Sequence, residues 1–383
     1  MKLETYQYSS NSGWDNEPDG SLDSDKTLLM FFGSPHFDIV AEQLEEVSSR
    51  FPNSIMVGCS SAGEIYEDDV FDDSLSLSVS RFEHTDIRAT STDISDSGDS
   101  FQTGKDIAQQ LLTDDLRSII VLSDGLSVNG SKLIEGMTDV LPDHVVITGG
   151  LAGDGDRFES TWVWTDGARS SNKVCAVGFY GEHIGVGHGS RGGWDMLGPE
   201  RQVTRSEGNV LFELDNQPAL ELYKKYLGDR ADGLPATGLL FPLSINNEDE
   251  EGTNTVRTIL AVSEEDNSIT FAGDVPEGKR VRLMRANFDR LIDGAADASD
   301  CIDTSSYEQG PLLGISISCV GRRLVLGPRT EEEIDAALSG MPEGTQQIGF
   351  YSYGEISPLA NGKCDLHNQT MTLTLIWENE RAA

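Results

Sequence analysis

The chain has 383 residues, 37% of them hydrophobic, and a formal net charge of −37 from 28 basic and 65 acidic residues. A chain of this length usually folds as two domains, and this hydrophobic share is enough for buried cores. Its negative surface would repel the phosphates of nucleic acids and anionic lipids, so we exclude both as partners.

The first 26 residues are polar and lack the apolar core of a secretory signal, and no later run is long enough to span a membrane. The five cysteines are odd in number and widely separated, which favours reduced thiols over a disulfide framework. We therefore predict a cytoplasmic protein that begins with a polar leader. The even spread of acidic residues suits a salt-rich habitat, although plain surface acidity accounts for it equally well.

Strands alternate with helices through the first half of the chain. The apolar run at residues 27–32 predicts a buried strand, Ser34-Pro35 predicts the start of a helix, and residues 54–57 predict a second strand. Residues 119–122 and 145–147 predict two further strands with a helix between them. This order is typical of α/β architecture, in which ligands collect beyond the carboxyl ends of the strands.

Three glycine-rich segments follow directly after predicted strands. They are Gly58-Cys59-Ser60-Ser61-Ala62-Gly63-Glu64, Ser123-Asp124-Gly125 and Gly149-Gly150-Leu151-Ala152-Gly153-Asp154-Gly155. Small residues at such positions let backbone amides approach a ligand, and neighbouring carboxylates can orient it. We therefore expect the three segments to form a ligand cleft.

The second half opens with strand-like segments around a glycine-rich stretch at residues 187–198, which we expect to be a loop. Thr330 and Glu333 have the spacing of a capping box and predict the start of a helix. Residues 347–356 and 371–377 predict two closing strands. Tyr353-Gly354-Glu355-Ile356 echoes Ala62-Gly63-Glu64-Ile65, but one tetrapeptide is too short to establish a duplication.

Several motifs, in the right order, resemble the two FIST domains. The three glycine-rich segments and Ala176-Val177-Gly178-Phe179-Tyr180 look like the N-terminal FIST domain. The motifs similar to the C-terminal FIST domain are Asn209-Val210-Leu211-Phe212-Glu213-Leu214, Ser318-Cys319-Val320-Gly321-Arg322 and Gly349-Phe350-Tyr351-Ser352-Tyr353-Gly354-Glu355-Ile356. The resemblance implies an N-terminal domain at residues 27–215 after a leader at 1–26, and a C-terminal domain with a closing strand at 216–383. The implied fold is α/β to α+β, with mixed β-sheets flanked by helices.

The resemblance implies an intracellular sensory protein and not an enzyme. Such a protein binds a small ligand and regulates a signalling enzyme in trans, such as a histidine kinase of a two-component system or a cyclic-dinucleotide enzyme. One branch of the family binds haem and senses nitric oxide, and amino acids are the other proposed ligand class. We expect haem with nitric oxide as the ligand system, with a small polar ligand as the alternative.

Haem requires an axial ligand, most often a histidine. Among the six histidines, His188 is the preferred candidate because glycines flank it and Trp194 follows closely, while His183 and His367 are weaker candidates. Release of His188 when nitric oxide binds would move the loop at residues 187–198. A loop histidine that bonds backbone carbonyls is the competing interpretation.

For a small polar ligand, the candidate contacts are hydroxyl, amide, thiol and charged groups of the shared motifs. The candidate ligand-binding residues are Cys59, Ser60, Ser61, Asp124, Gly150, Gly153, Asp154, Cys319, Arg322 and Glu355. Carboxylates would face an ammonium group, and the arginine would face a carboxylate. Each aspartate fits helix capping or turn formation equally well.

The competing function class is an enzyme, a thiol hydrolase acting through Cys59. No histidine lies near Cys59 or Cys319 in sequence, and buried thiols are usually inert packing groups. The run at residues 187–192 fits a dinucleotide-binding pattern, but Gly193 and Pro199 oppose the helix that this motif needs. We therefore predict no catalytic residues.

Overall fold

The computed structural model describes residues 1–94, 99–246 and 254–380. Its elements form three similar units that follow one another along the chain, and a β-rich domain inserted into the third unit. The mixed helices and sheets confirm the predicted α/β to α+β class. No helix in the described ranges is long and apolar enough to cross a membrane.

The first unit runs from residue 2 to residue 81. Its elements are β1 (Lys2–Ser9), β2 (Gly13–Trp14), β3 (Thr27–Gly33), α1 (Ala41–Arg50), β4 (Ile55–Ser60), β5 (Glu64–Tyr66), β6 (Asp69–Phe71) and β7 (Ser74–Arg81). Every residue of β3 is buried, as expected for a strand covered on both faces. Helix α1 turns Leu44 and Val47 inward and leaves its charged residues towards solvent.

The second unit repeats this plan with one additional helix. Its elements are β8 (Asp86–Asp93), α2 (Ser100–Leu111), β9 (Leu116–Ser123), α3 (Gly130–Val140), β10 (Val146–Leu151), β11 (Val163–Thr165), β12 (Ala168–Ser170) and β13 (Lys173–Tyr180). The side chains of Asp99 and Asn129 accept hydrogen bonds from the first turns of α2 and α3, which fixes where both helices begin.

The third unit begins with β14 (Ile184–Arg191) and then continues into the inserted domain. The elements of this domain are β15 (Asp195–Glu207), β16 (Val210–Leu214), β17 (Gln217–Pro218), α4 (Ala219–Leu227), β18 (Leu243–Asn246), β19 (Thr255–Arg257), β20 (Ile259–Ser263), β21 (Ser268–Phe271) and β22 (Arg280–Arg285). The eight strands form one sheet, and the domain has its own hydrophobic core, which includes Val203, Leu220, Ile269 and Phe271.

The chain then returns to complete the third unit. The remaining elements are α5 (Phe288–Asp300), β23 (Leu312–Cys319), α6 (Val320–Leu326), α7 (Thr330–Gly340), β24 (Thr345–Ser352), β25 (Gly354–Pro358), β26 (Cys364–His367) and β27 (Met371–Glu378). Helices α5 and α7 pack together as α2 and α3 do in the second unit.

The three units share one strand order and exchange hairpins in a cycle. Each unit has a central parallel pair, which is β3 with β4, β9 with β10, or β23 with β24. Hairpin β5–β6 of the first unit joins the sheet of the third, β11–β12 of the second joins that of the first, and β25–β26 of the third joins that of the second. This cyclic exchange is the topology of a three-fold repeat.

Backbone hydrogen bonds join the three units where their second parallel strands end. The N–H of Ala62 donates to Tyr351 O at 2.8 Å, that of Tyr353 to Leu151 O at 3.1 Å, and that of Gly153 to Ser60 O at 3.1 Å. Two of the predicted glycine-rich segments and the Tyr353 motif therefore meet at one place. Gly63-Glu64 and Gly354-Glu355 open corresponding hairpins, so the short sequence echo reflects equivalent positions in two units.

Two predictions about strands are wrong. The expected loop at residues 187–198 contains the end of β14, which pairs with β27 at the edge of the third sheet, and the start of β15. Gly187 and Gly189 pack against Ile302 and Ala298, so closely that added Cβ atoms would lie 2.6 and 2.0 Å from the nearest atoms. The predicted strand at residues 347–356 is two strands, because the chain leaves the third sheet at Tyr353 and enters the second.

The capping box at Thr330 is also wrong, although α7 does begin there. The helix has no side-chain cap, and the Thr330 hydroxyl donates to Gly327 O at 2.6 Å. Glu333 is fully buried and pairs with Arg322, so it is not available to cap the helix.

Candidate ligand cavities

Two neighbouring cavities lie beyond the strand ends where the units meet. The apolar cavity has a volume of about 530 Å³ and the polar cavity about 200 Å³. The segment after Asp154 lies between them, since Gly155 and Arg157 line the polar cavity while Asp156 and Phe158 line the apolar one. Helix α6 also contributes to both walls.

The apolar cavity lies between the inserted domain and the three-unit body. The body contributes residues from the loop after β10, from the start of α6 and from the break before β25. The lining residues from both parts are Asp156, Phe158, Gly233, Leu234, Pro235, Ala236, Leu239, Thr258, Ile259, Leu260, Ala272, Cys319, Val320, Gly321, Leu324 and Tyr353. A ligand held here contacts both parts at once.

Exposed apolar side chains surround this cavity. Phe158, Leu260 and Leu324 are 45%, 43% and 43% exposed, and all three line it. The ring of Phe158 stacks on that of Tyr353 with centroids 4.4 Å apart. Apolar side chains that gather in this way around a concavity are typical of ligand sites.

A few polar groups stand in these apolar walls. Thr258 is only 5% exposed, and its hydroxyl oxygen has no hydrogen-bond partner among the described residues. The hydroxyl of Tyr353 donates to the Asp154 carboxylate, and burial together with that carboxylate raises the pKa of Tyr353. The wall therefore contains a buried Thr258 hydroxyl without a partner, whereas the hydroxyl of Tyr353 is held by Asp154.

Cys319 is the thiol in the cavity wall, at the residue before α6. Cys319 is 3% exposed, and Glu355 lies close enough for its charge to add to the effect of burial on the pKa of the thiol. Glu355 is fully buried and accepts hydrogen bonds from Ser352 Oγ at 2.8 Å and Thr370 N at 3.2 Å. Burial raises the pKa of Glu355 to about 8 and also raises the pKa of the Cys319 thiol.

The polar cavity contains a second buried carboxyl group. Glu64 is 1% exposed, and Ser74 donates to it through its backbone N–H at 3.1 Å and its hydroxyl at 2.9 Å. Burial raises the pKa of Glu64 to about 8. Arg323 lies in the same wall and pairs with the carboxylate of Asp72 at 2.7 Å. Glu64 with Ser74 corresponds to Glu355 with Thr370 in the three-fold plan.

Most of the predicted polar contacts are used inside the protein. The hydroxyl of Ser60 accepts from Trp162 N at 3.1 Å, and that of Ser61 accepts from Gly63 N at 2.8 Å. Asp124 accepts from two backbone N–H groups of its own turn and from the Thr161 hydroxyl. Asp154 accepts from the N–H groups of residues 158–160. Both aspartates therefore serve as turn-forming residues, and Ser61 is the member of this group that also lines the polar cavity.

The remaining predicted contacts have packing roles. Cys59 is fully buried in an apolar cluster that also contains Cys175. Added Cβ atoms at Gly150 and Gly153 would lie 3.0 Å from Ile317 and Ala62, so these glycines allow close approach of neighbouring strands.

Arg322 is fully buried and does not line either cavity. Its side chain pairs with Glu333 at 2.5 Å and donates to the carbonyl groups of Gly192 and Leu291. Gly192 lies just before the inserted domain and Leu291 in the first turn of α5 just after it, so Arg322 joins the chain at both ends of this domain to α6.

The three candidate haem ligands lie outside both cavity walls. His188 is half-buried on the edge strand β14, and burial lowers its pKa. His367 has Nε2 2.9 Å from Ser357 O, and His183 has Nδ1 3.0 Å from Asn379 O. Across the described ranges, no group of three or more metal-ligating side chains is arranged to hold a metal ion. The cavities therefore do not fit a histidine-ligated haem, and haem binding through His188 stays a prediction.

Sequence reasoning missed most of the apolar wall. Thr258, Leu260 and Leu324 carry no motif, and they reach the cavity only because the inserted domain packs against the body. Tyr353 stood in a recognised motif, but its apolar neighbours could not be deduced from it. The sequence feature that could have identified Glu64 as a counterpart of Glu355 is the Gly-Glu-Ile sequence in which both residues occur.

Two family models match the chain. The FIST N domain matches residues 27–217 and the FIST C domain matches residues 219–358. No curated protein matches the chain. A solved structure of cyanuric acid hydrolase from A. caulinodans is similar at 8% sequence identity and a TM-score of 0.39, over 98% of this chain and 99% of that one. A likeness at this TM-score supports no conclusion.

Proposed function

The chain belongs to the FIST family of sensory domains that bind small ligands, and we propose that it senses a mostly apolar small molecule in the apolar cavity. The observation that carries this proposal is the cavity itself, whose walls come from both the inserted domain and the three-unit body. Its volume of about 530 Å³ lies within the usual range for small-molecule sites.

The chemistry of the walls supports a ligand with an apolar body and one polar group. Phe158, Leu260 and Leu324 would cover the apolar body, and water would be released from them on binding. The unpartnered hydroxyl of Thr258 would meet the polar group, because a buried hydroxyl without a partner costs free energy that a ligand can recover.

Binding would change the preferred arrangement of the inserted domain on the body. A ligand that contacts both parts binds one arrangement better than others and shifts the population towards it. FIST sensory domains are associated with signalling proteins, and a histidine kinase or a cyclic-dinucleotide enzyme in trans is the partner that we propose to read this shift. The sensory role favours binding over catalysis.

A small polar ligand, such as an amino acid, is the second candidate. The observation in its favour is the polar cavity, where Glu64, Arg157 and Arg323 bring groups of both charges together. Its volume of about 200 Å³ limits it to a compact ligand.

Binding of the neutral dye N-phenyl-1-naphthylamine tests the first proposal, because its fluorescence rises when it leaves water for an apolar site. We expect the dye to bind, and Leu324→Asp to weaken binding about tenfold through lost apolar contact and added charge. The matched control is Leu112→Asp, since Leu112 is similarly exposed, at 38%, but does not line the cavity. Equal affinity of Leu324→Asp and Leu112→Asp for the dye would contradict binding in the apolar cavity.

Reconstitution with haem tests the other expectation separately. A Soret band that appears with the wild-type protein and is lost in His188→Ala would support haem binding through that histidine. An absent Soret band, or a band that is unchanged in His188→Ala, would contradict haem binding through His188.

A further inference from the structure

We infer that Phe158 selects the ligand, because its ring stacks on a flat aromatic ring that enters the apolar cavity. The inference rests on the proposed function, since the ligand must first bind in this cavity. It gives the ligand a chemical class, an aromatic molecule with one polar group, and it assigns the preference for that class to one side chain.

The ring of Phe158 already has one aromatic neighbour. It lies nearly parallel to the ring of Tyr353, with an interplanar angle of 14° and centroids 4.4 Å apart. Phe158 is nevertheless 45% exposed, whereas Tyr353 is 7% exposed. Both residues line the apolar cavity, so a ligand ring that lies there can reach the exposed part of Phe158. A flat ring would extend the stack from two rings to three.

The backbone at Phe158 shows that the fold imposes this position of the ring. The φ angle of Phe158 is 54°, in the left-handed region that bulky residues rarely adopt. Residues in such strained conformations persist only where neighbouring contacts hold them, and they are frequent at ligand sites. Burial of the ring does not account for this conformation, because nearly half of the side chain stays exposed.

The carboxylate of Asp154 holds both rings of the stack. One of its oxygens accepts a hydrogen bond from the N–H of Phe158 at 2.9 Å, and the hydroxyl of Tyr353 donates to the same oxygen. The other oxygen accepts from the N–H groups of Glu159 and Ser160, both at 2.9 Å. Because the protein itself fixes the stack, a ligand ring that binds to it costs little side-chain entropy.

The other walls of the cavity do not distinguish an aromatic ligand from a saturated one. Leu260 and Leu324 would cover either kind of molecule, since this contact depends on apolar area alone. The buried hydroxyl of Thr258, which has no partner among the described residues, would meet a polar group on either. Stacking on Phe158 is available only to a flat aromatic ring, so this residue determines the preference.

Two alcohols with the same carbon skeleton test the inference, the aromatic 2-naphthol and its saturated counterpart 2-decalol. Each has one hydroxyl group for Thr258, and only 2-naphthol has flat rings. We expect the wild-type protein to bind 2-naphthol about three- to tenfold more tightly than 2-decalol, as measured by isothermal titration calorimetry. Phe158→Leu should reduce this preference to less than about twofold, because leucine retains an apolar contact but cannot stack.

Two further variants show whether the aromatic ring at residue 158 is responsible. Phe158→Tyr retains a ring and should retain the wild-type preference. Phe288→Leu is the matched control, since Phe288 is similarly exposed, at 42%, but does not line the apolar cavity. Equal affinity of the wild-type protein for the two alcohols, or a preference that is unchanged in Phe158→Leu, would overturn the inference.

Nuclear magnetic resonance gives a second measurement, which needs no variant if Phe158→Leu does not fold. The ring protons of 2-naphthol should shift upfield when it binds to the wild-type protein, because they lie over the face of an aromatic ring. Binding of 2-naphthol without this upfield shift would overturn stacking.

Dye binding separates this inference from the proposed function. Binding of N-phenyl-1-naphthylamine together with equal affinity for the two alcohols would overturn selection by Phe158 and leave the cavity proposal standing. Absence of binding of the dye and of both alcohols would overturn the two proposals together.

Discussion

Glu64 and Glu355 are buried carboxyl groups at corresponding positions of the first and third units. Each accepts a hydrogen bond from a backbone N–H at or just before the last strand of its unit, from Ser74 or from Thr370. Burial disfavours the charged form of both, and their hydrogen bonds only partly offset this effect. The two residues therefore link the protein's stability to pH.

We predict that Glu64→Gln stabilises the protein more at high pH than at low pH. In the folded wild-type protein the pKa is raised from 4.5 to about 8, so between these values the unfolded chain releases a proton that the folded protein retains. Wild-type stability therefore falls as the pH rises through this window, by about 5 kcal/mol at most from this group, and glutamine removes that loss.

Urea unfolding near pH 5 and near pH 9 measures the difference. The matched control is Glu45→Gln on the exposed face of α1, which should unfold like the wild-type protein at both values. A stability difference between Glu64→Gln and wild type that is the same at both pH values would contradict the raised pKa.

At the scale of single elements, strand β14 shows that glycine spacing alone does not distinguish a loop from a strand. Gly187 and Gly189 read as a loop in sequence, but they form the strand face that packs against the end of α5. Glycine is common both in loops and in strands that pack closely against a helix. Only the tertiary contacts distinguish these two cases.

We predict that Gly189→Ala destabilises the protein by about 1 to 3 kcal/mol, because the added Cβ would lie 2.0 Å from Ala298 O and force β14 away from α5. The control is Ser190→Ala, on the opposite face of the same strand, where no atom is added. Urea unfolding of both variants measures the effect. Equal stabilities would show that β14 can move without cost.

The sequence predicted the central strands and the strand ends because both leave local signals, namely apolar runs and glycine-rich breaks. It placed Cys319 correctly in a strand, and Cys319 does line the apolar cavity. It could not separate ligand contacts from internal ones, since the partners of Ser60, Asp124 and Arg322 lie 11 or more residues away or in the turn itself. A polar residue at a strand end can bind either a ligand or another part of the protein. Which of the two it binds depends on the residues that the fold places beside it.

At the scale of the whole molecule, the three-fold plan brings distant parts of the chain into one site. The hairpin exchange places Tyr353 beside Asp154, and Glu64 beside the α6 residue Arg323. These pairings depend on register between strands that are far apart in sequence, which local patterns do not encode. The short Gly-Glu-Ile sequence shared by two units is the local sequence feature that reflects the three-fold repeat.

The inserted domain gives the third unit a cavity wall that the other units lack. Gly192 precedes this domain, Leu291 follows it in the first turn of α5, and Arg322 donates hydrogen bonds to both carbonyls. Arg322 follows Cys319, Val320 and Gly321, which line the apolar cavity. Consecutive residues of α6 and one buried side chain therefore join the cavity wall to both ends of the inserted domain.

We predict that N-phenyl-1-naphthylamine slows amide hydrogen exchange in two separate segments, residues 154–158 of the body and residues 233–239 of the inserted domain. A ligand that contacts both parts stabilises the arrangement in which it is bound, so the backbone amides of both walls should open less often. Exchange followed by mass spectrometry with and without the dye measures this, and the segment at residues 130–140 in α3, away from the cavity walls, serves as the internal control. Slower exchange in only one of the two segments would mean that the dye binds one part alone. The inserted domain could not then transmit ligand binding in the way that the cavity suggests.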